Sequence, residues 1–76
     1  RSVEALTALG ELKREQAKLD EAIDYYTRAE RAGGLDYDIA YGLGACYSIK
    51  QEHTRAVEYL RRAVGFAPDA AAARFA

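Results

Sequence analysis

The stretch Tyr41-Gly42-Leu43-Gly44-Ala45-Cys46-Tyr47 has a fainter copy 34 residues earlier, Thr7-Ala8-Leu9-Gly10-Glu11-Leu12-Lys13. Leu43 repeats Leu9 and Gly44 repeats Gly10. At the same offset Ala56 repeats Ala22, Tyr59 repeats Tyr25, Arg62 repeats Arg28 and Ala63 repeats Ala29, while Val57 answers Ile23 and Glu58 answers Asp24. The chain is therefore two copies of one unit. Self-similarity at a fixed period of this size marks a stacked-repeat architecture, in which each unit is an incomplete core that its neighbour completes.

The units are helical. Val3, Leu6, Leu9 and Leu12, with Ala5 and Ala8 beside them, form one apolar stripe, predicting a first helix from Ser2 to about Gln16 with Ser2 as its cap. The other stripe gathers Glu4, Thr7, Glu11, Arg14 and Glu15 on one side. After a break at Ala17 and Lys18, Leu19, Ala22, Ile23, Tyr26 and Ala29 define a second helix to Ala32, stopped by Gly33-Gly34. Its acids, Asp20 and Glu21, come first and its bases, Arg28 and Arg31, last, which suits the helix dipole. Asp36 caps a third helix from Tyr37 to about Lys50, with Ile39, Ala40, Leu43, Cys46 and Tyr47 on its apolar side. A fourth runs from His53 or Thr54 to Phe66, with Ala56, Val57, Leu60, Ala63 and Val64 inward. Pro68 ends it, and Asp69 caps the start of a fifth in Ala70 to Ala76. Alternating strand patterns are absent.

Glycine in mid-helix costs about 1 kcal/mol relative to alanine, so Gly10 and Gly44 need a packing reason. Close helix approach supplies it, with Ala22, Ala56, Ala29 and Ala63 as the matching small surface. Leu9, Leu43, Tyr26, Leu60 and Tyr47 fill the grooves around that contact. Of the tyrosines, Tyr25, Tyr26, Tyr47 and Tyr59 read as packing residues, and Tyr37 and Tyr41 as surface residues.

At 76 residues the chain makes one small domain or a slice of a larger one, and a core of this size is only marginally self-sufficient. The absence of Met and the start at Arg1 read as a processed or excised piece. Eleven basic against twelve acidic side chains lack the excess positive charge that phosphate neutralisation requires, which argues against nucleic acid. No apolar run approaches the ~20 residues of a membrane span, and no signal-peptide pattern occurs. The lone Cys46 among apolar neighbours points to a buried thiol in a reducing compartment, hence a cytoplasmic location.

The second unit reads Ala40-x-x-Leu43-Gly44-x-x-Tyr47, then Ala56-x-x-x-Leu60, Ala63 and Pro68. The first reads Leu6-x-x-Leu9-Gly10-x-x-Lys13, then Ala22-x-x-x-Tyr26, Ala29 and Gly34. This pattern resembles the tetratricopeptide repeat family over residues 3 to 70. The resemblance implies an all-α solenoid of antiparallel helix-turn-helix repeats. Residues 3–36 and 37–70 would be two repeats, and 71–76 the start of a capping helix or third repeat. Lys13 stands where the family usually has Tyr, and Gly34 where it has Pro. Ala17 and Gln51 replace the usual turn glycine, which predicts a left-handed residue at each.

The resemblance also implies a non-catalytic scaffold whose first helices line a groove for a peptide or helix of a partner. Carried over by position, the groove is Glu4, Thr7, Glu11, Arg14 and Glu15 with Asp38, Tyr41, Ala45 and Ser48. Its acids and the aromatic Tyr41 favour a basic or mixed-charge segment carrying an apolar residue. The lysine and asparagine with which some members clamp a terminal carboxylate are replaced by Thr7 and Glu11, which argues against that sub-function. The alternative is an assembly module that self-associates or stacks in a longer array, with Val64, Phe66 and Phe75 at its open end. His53 and Cys46 read as packing residues; with no CxxC, HExxH or phosphate-loop spacing, neither metal, cofactor nor enzyme activity is expected.

Overall fold

The computed structural model describes residues 2–66. They form α1 (Val3–Glu15), α2 (Leu19–Gly33), α3 (Tyr37–Ile49) and α4 (His53–Phe66). The described residues are all-helical, and the elements pack as two hairpins, α1 with α2 and α3 with α4, joined through α2 against α3. Pro68, Asp69, Phe75 and the expected fifth helix lie outside the described residues.

Local chemistry sets the helix ends. Ser2 and Asp36 cap α1 and α3 through side-chain oxygens that accept from the Ala5 and Ile39 amides, at 3.4 and 2.9 Å. Both intra-hairpin turns close alike: Lys18 N–H donates to Lys13 C=O and, 34 residues on, Glu52 N–H donates to Tyr47 C=O. This Schellman closure needs a left-handed residue, and Ala17 (φ 63°) and Gln51 (φ 66°) supply it without being glycine. Gly33 is the last helical residue of α2; the terminator is Gly34, at φ 88°. Gly33 lacks a side chain for another reason, since a Cβ there would lie 2.5 Å from Val3 Cγ2.

The core is Leu6, Ala22, Tyr26, Ala29, Ile39, Leu43 and Cys46, with Tyr25, Tyr47 and Tyr59 half-buried against it. Gly10 and Gly44 do allow close approach, but to larger residues than the alanines expected. A Cβ on Gly10 would sit 3.0 Å from the Tyr26 ring, and one on Gly44 would sit 2.7 Å from Leu60 Cδ2. Tyr26 and Leu60 are themselves one repeat apart. Tyr26 also crosses to the next hairpin, where a Cβ on Gly42 would overlap its ring. One fully buried phenol is thus wedged between a glycine of α1 and a glycine of α3.

The hairpins brace themselves at matching places with different chemistry. Lys13 pairs with Glu21 at 3.3 Å in the first; at the equivalent positions of the second, Arg55 lies 5.5 Å over the Tyr47 ring. Tyr47 also stacks on Tyr59, with centroids 5.8 Å apart. Lys50, at the C-cap of α3, pairs with Asp20 of α2, tying the hairpins together at one edge.

Three expectations about burial need correction. Leu9 and Leu12, placed on the apolar stripe, are 38% and 46% exposed, whereas Leu43, the repeat partner of Leu9, is fully buried. Val57 and Val64, expected inward, are 48% and 55% exposed. The reason is position in the stack: α3 is covered by α1, α2 and α4, while among the described helices α4 meets only α3 and α1 stands at one end. His53, expected to pack, is exposed at the head of α4. No helix among the described residues is long and apolar enough to cross a membrane.

Candidate partner-binding groove

The first helices of the two hairpins, α1 and α3, meet along one side of the molecule and leave a depression of about 220 Å³ between them. Val3, Thr7 and Ala8 line it together with the carboxylates of Glu4, Glu11, Asp36 and Asp38. Among the described residues no basic side chain lines it. Four acids within one small concavity make a field that attracts a cation.

Helical periodicity sets these side chains together. Glu4, Thr7, Ala8 and Glu11 recur at three and four along α1 and so share a face, while Asp36 and Asp38 stand at the head of α3. Asp36 has a second duty there, because its Oδ1 accepts the Ile39 amide. Thr7 is buried, and its hydroxyl donates to Val3 C=O at 2.7 Å, so its hydrogen is already engaged within the helix.

One turn further along α1 the character of the surface changes. Arg14 Nε donates to the Tyr26 hydroxyl at 3.3 Å, and its guanidinium lies 5.6 Å over the Tyr41 ring. Tyr41 is 44% exposed and stacks on Tyr37, one turn earlier on α3, with centroids 6.0 Å apart and planes 12° from parallel. Burial raises the Tyr26 hydroxyl above its ordinary range, and Arg14 opposes that rise. Burial pulls Arg14 down, but its bond to Tyr26 and the surrounding phenols and thiol together hold it above its ordinary value. Burial likewise raises the Cys46 thiol, a buried group with no route to act as a nucleophile.

Of the nine residues expected to line the groove, the structure brings Glu4, Thr7, Glu11 and Asp38 around the depression and sets Arg14 against Tyr41. Glu15 and Ser48 are exposed and Ala45 half-buried, with no polar contact to the others. Sequence reading missed Val3, Ala8, Asp36 and Tyr37. The spacing of four between Tyr37 and Tyr41 could have shown the stack, whereas Asp36 already had a sufficient explanation as a cap. Among the described residues no three of His, Cys, Asp and Glu gather as a metal would require.

A second surface differs in kind. On the outer side of α4, Val57, Leu60, Arg61 and Val64 line an almost wholly apolar depression of about 360 Å³.

No curated protein and no solved structure matches the chain. A family model described as "Tetratricopeptide repeat" matches residues 7–75. Such repeats form non-catalytic scaffolds that mediate contacts between proteins. With a 34-residue period, paired helices nested through Gly10 and Gly44, and a family match over nearly its whole length, the chain belongs to the tetratricopeptide repeat family.

Proposed function

We propose that the chain holds a segment of a partner protein in the groove between α1 and α3. The segment is basic or mixed in charge and bears an apolar side chain. The observation that supports this reading most is the juxtaposition of the depression lined by Glu4, Glu11, Asp36 and Asp38 with exposed Tyr41 stacked on half-buried Tyr37. A lysine or arginine of the partner enters the acidic depression, and an aromatic or aliphatic neighbour packs against the part of Tyr41 left exposed by Arg14 and Tyr37. The rim charges act mainly on the association rate and on partner choice, so binding weakens as salt rises.

The test is selection of short random displayed peptides on the chain, followed by affinity measurement. A Tyr41→Ala, Glu11→Lys variant is expected to lose tenfold or more in affinity for the selected basic peptides, about 1.4 kcal/mol. Unchanged binding by that variant counts against the groove.

The apolar outer side of α4 favours a second reading, assembly through that side with another copy or further repeats. Sedimentation of the isolated chain separates the two: a monomer at micromolar concentration supports the recognition module, and a dimer abolished by Val57→Lys supports assembly.

A further inference from the structure

Arg14 is held by two tyrosines, the hydroxyl of Tyr26 and the ring of Tyr41, and leaves both Nη nitrogens unpaired among the described residues. Its Nε is committed to Tyr26, a fully buried side chain, and its guanidinium carbon lies 5.6 Å over the ring of Tyr41, itself stacked on Tyr37. Among the described residues neither Nη nitrogen has a hydrogen-bond or ion-pair partner. Lys13, Arg28, Lys50 and Arg55 each pair with a carboxylate. Glu11 and Glu15 stand on the same helix as Arg14 and do not engage it.

A guanidinium has five N–H donors in a rigid fork that matches a carboxylate in two parallel bonds. Arg14 spends one donor on holding itself in place and keeps the remainder for a ligand. Because the side chain is already ordered, an incoming carboxylate does not have to immobilise it.

We propose that Arg14 receives an aspartate or glutamate side chain of the bound segment, so that the groove reads a dipolar motif with a base at one end and an acid at the other. The spacing follows from the helix. Thr7, in the middle of the acidic depression, precedes Arg14 by seven residues, roughly 10 Å of helix at ~1.5 Å per residue. An extended peptide covers that in about three residues at ~3.3 Å each. The motif is a lysine or arginine separated by about three positions from an aspartate or glutamate. This assignment rests on the groove reading above and adds its polarity.

The experiment uses displayed random peptides selected on the 76-residue chain and resynthesised for anisotropy titration. Selected sequences are expected to pair a base with an acid at that spacing. Replacing the peptide acid by its amide should weaken binding to the native chain about tenfold, the size of a charge-assisted two-point contact. The same replacement should leave binding to Arg14→Gln unchanged, and Arg14→Lys, which keeps the charge and loses the fork, should recover only part of the difference. If Arg14→Gln does not fold, Arg14→Lys carries the comparison alone. Selection of base-only peptides, or an acid-to-amide loss equal in native and variant chains, overturns the role of Arg14 and leaves the groove standing. Peptides whose binding is indifferent to Glu11→Lys and Asp38→Lys bring down the groove and this assignment together.

Discussion

Replacing Gly42 by alanine should unfold this protein more readily, although alanine is the better helix former. The new Cβ would lie 2.6 Å from both Cε carbons of Tyr26 and closer still to Cζ, so the overlap falls on the far end of the ring. That ring cannot yield easily. It is fully buried, it also rests against Gly10, and its hydroxyl is held by Arg14. Helix propensity alone would stabilise the alanine variant by about 1 kcal/mol. Overpacking of a close contact costs about 1 to 3 kcal/mol and occasionally more, and the overlap here is large, so a net loss of about 2 kcal/mol is expected. In a domain of this size that is a fall of roughly 8 to 16 °C in Tm. Gly65 supplies the control: it lies in α4 with no neighbour among the described residues within 4 Å of where a Cβ would go, so Gly65→Ala should stabilise by up to about 1 kcal/mol. Urea denaturation followed by circular dichroism measures both. The repeat itself suggests a rescue, since the positions equivalent to Tyr26 and Gly42 are Leu60 and Ala8. Tyr26→Leu with Gly42→Ala should therefore be less damaging than the sum of the single changes. A Gly42→Ala variant as stable as the native chain, or gaining as much as Gly65→Ala, would refute the wedge.

Gly44→Leu should destabilise by about 3 kcal/mol or more, because even a Cβ there sits 2.7 Å from Leu60 Cδ2 and 3.3 Å from its backbone nitrogen; denaturant titration checks it. Ala17→Gly and Gln51→Gly should each stabilise by about 0.5 kcal/mol, since the left-handed penalty relieved at φ 63° and 66° slightly exceeds the entropy glycine adds to the unfolded chain; a lower melting temperature would contradict this. Stability should fall above about pH 9. Burial raises Cys46, Tyr26 and Tyr59, and a hydrogen bond to Asp20 raises Lys50, so the unfolded chain releases these protons first and gains on the folded one as pH climbs. Cys46→Ala should flatten the lower part of that decline, just above about pH 9, in stability measured against pH.

The helices, their caps and the family were legible in the residues because they depend on local chemistry. Apolar spacing at three and four, Ser2 and Asp36 before helix starts, and the 34-residue beat that pairs Leu9-Gly10 with Leu43-Gly44 need no knowledge of distant contacts. Even the left-handed Ala17 and Gln51 followed from position in the repeat. Gly42 did not. It stood outside the repeat, since its counterpart is Ala8, and only the path of Tyr26 across to α3 gives it a reason to be small.

The same division holds in the groove. Periodicity placed Glu4, Thr7, Glu11 and Arg14 on one face of α1, yet it could not separate the buried Thr7 hydroxyl from the carboxylates, nor show that Arg14 is clamped rather than paired with Glu11. By itself the sequence determined two helical hairpins and which face of each first helix is polar, because those depend on neighbours within a turn. Only the tertiary structure decided that Leu43 is buried where Leu9 is exposed, that Tyr26 lies between Gly10 and Gly42, and that Arg14 meets Tyr41 across the hairpins. Burial and contact between helices depend on what lies on the other side, and identical repeat positions receive different neighbours in the middle of a stack and at its end.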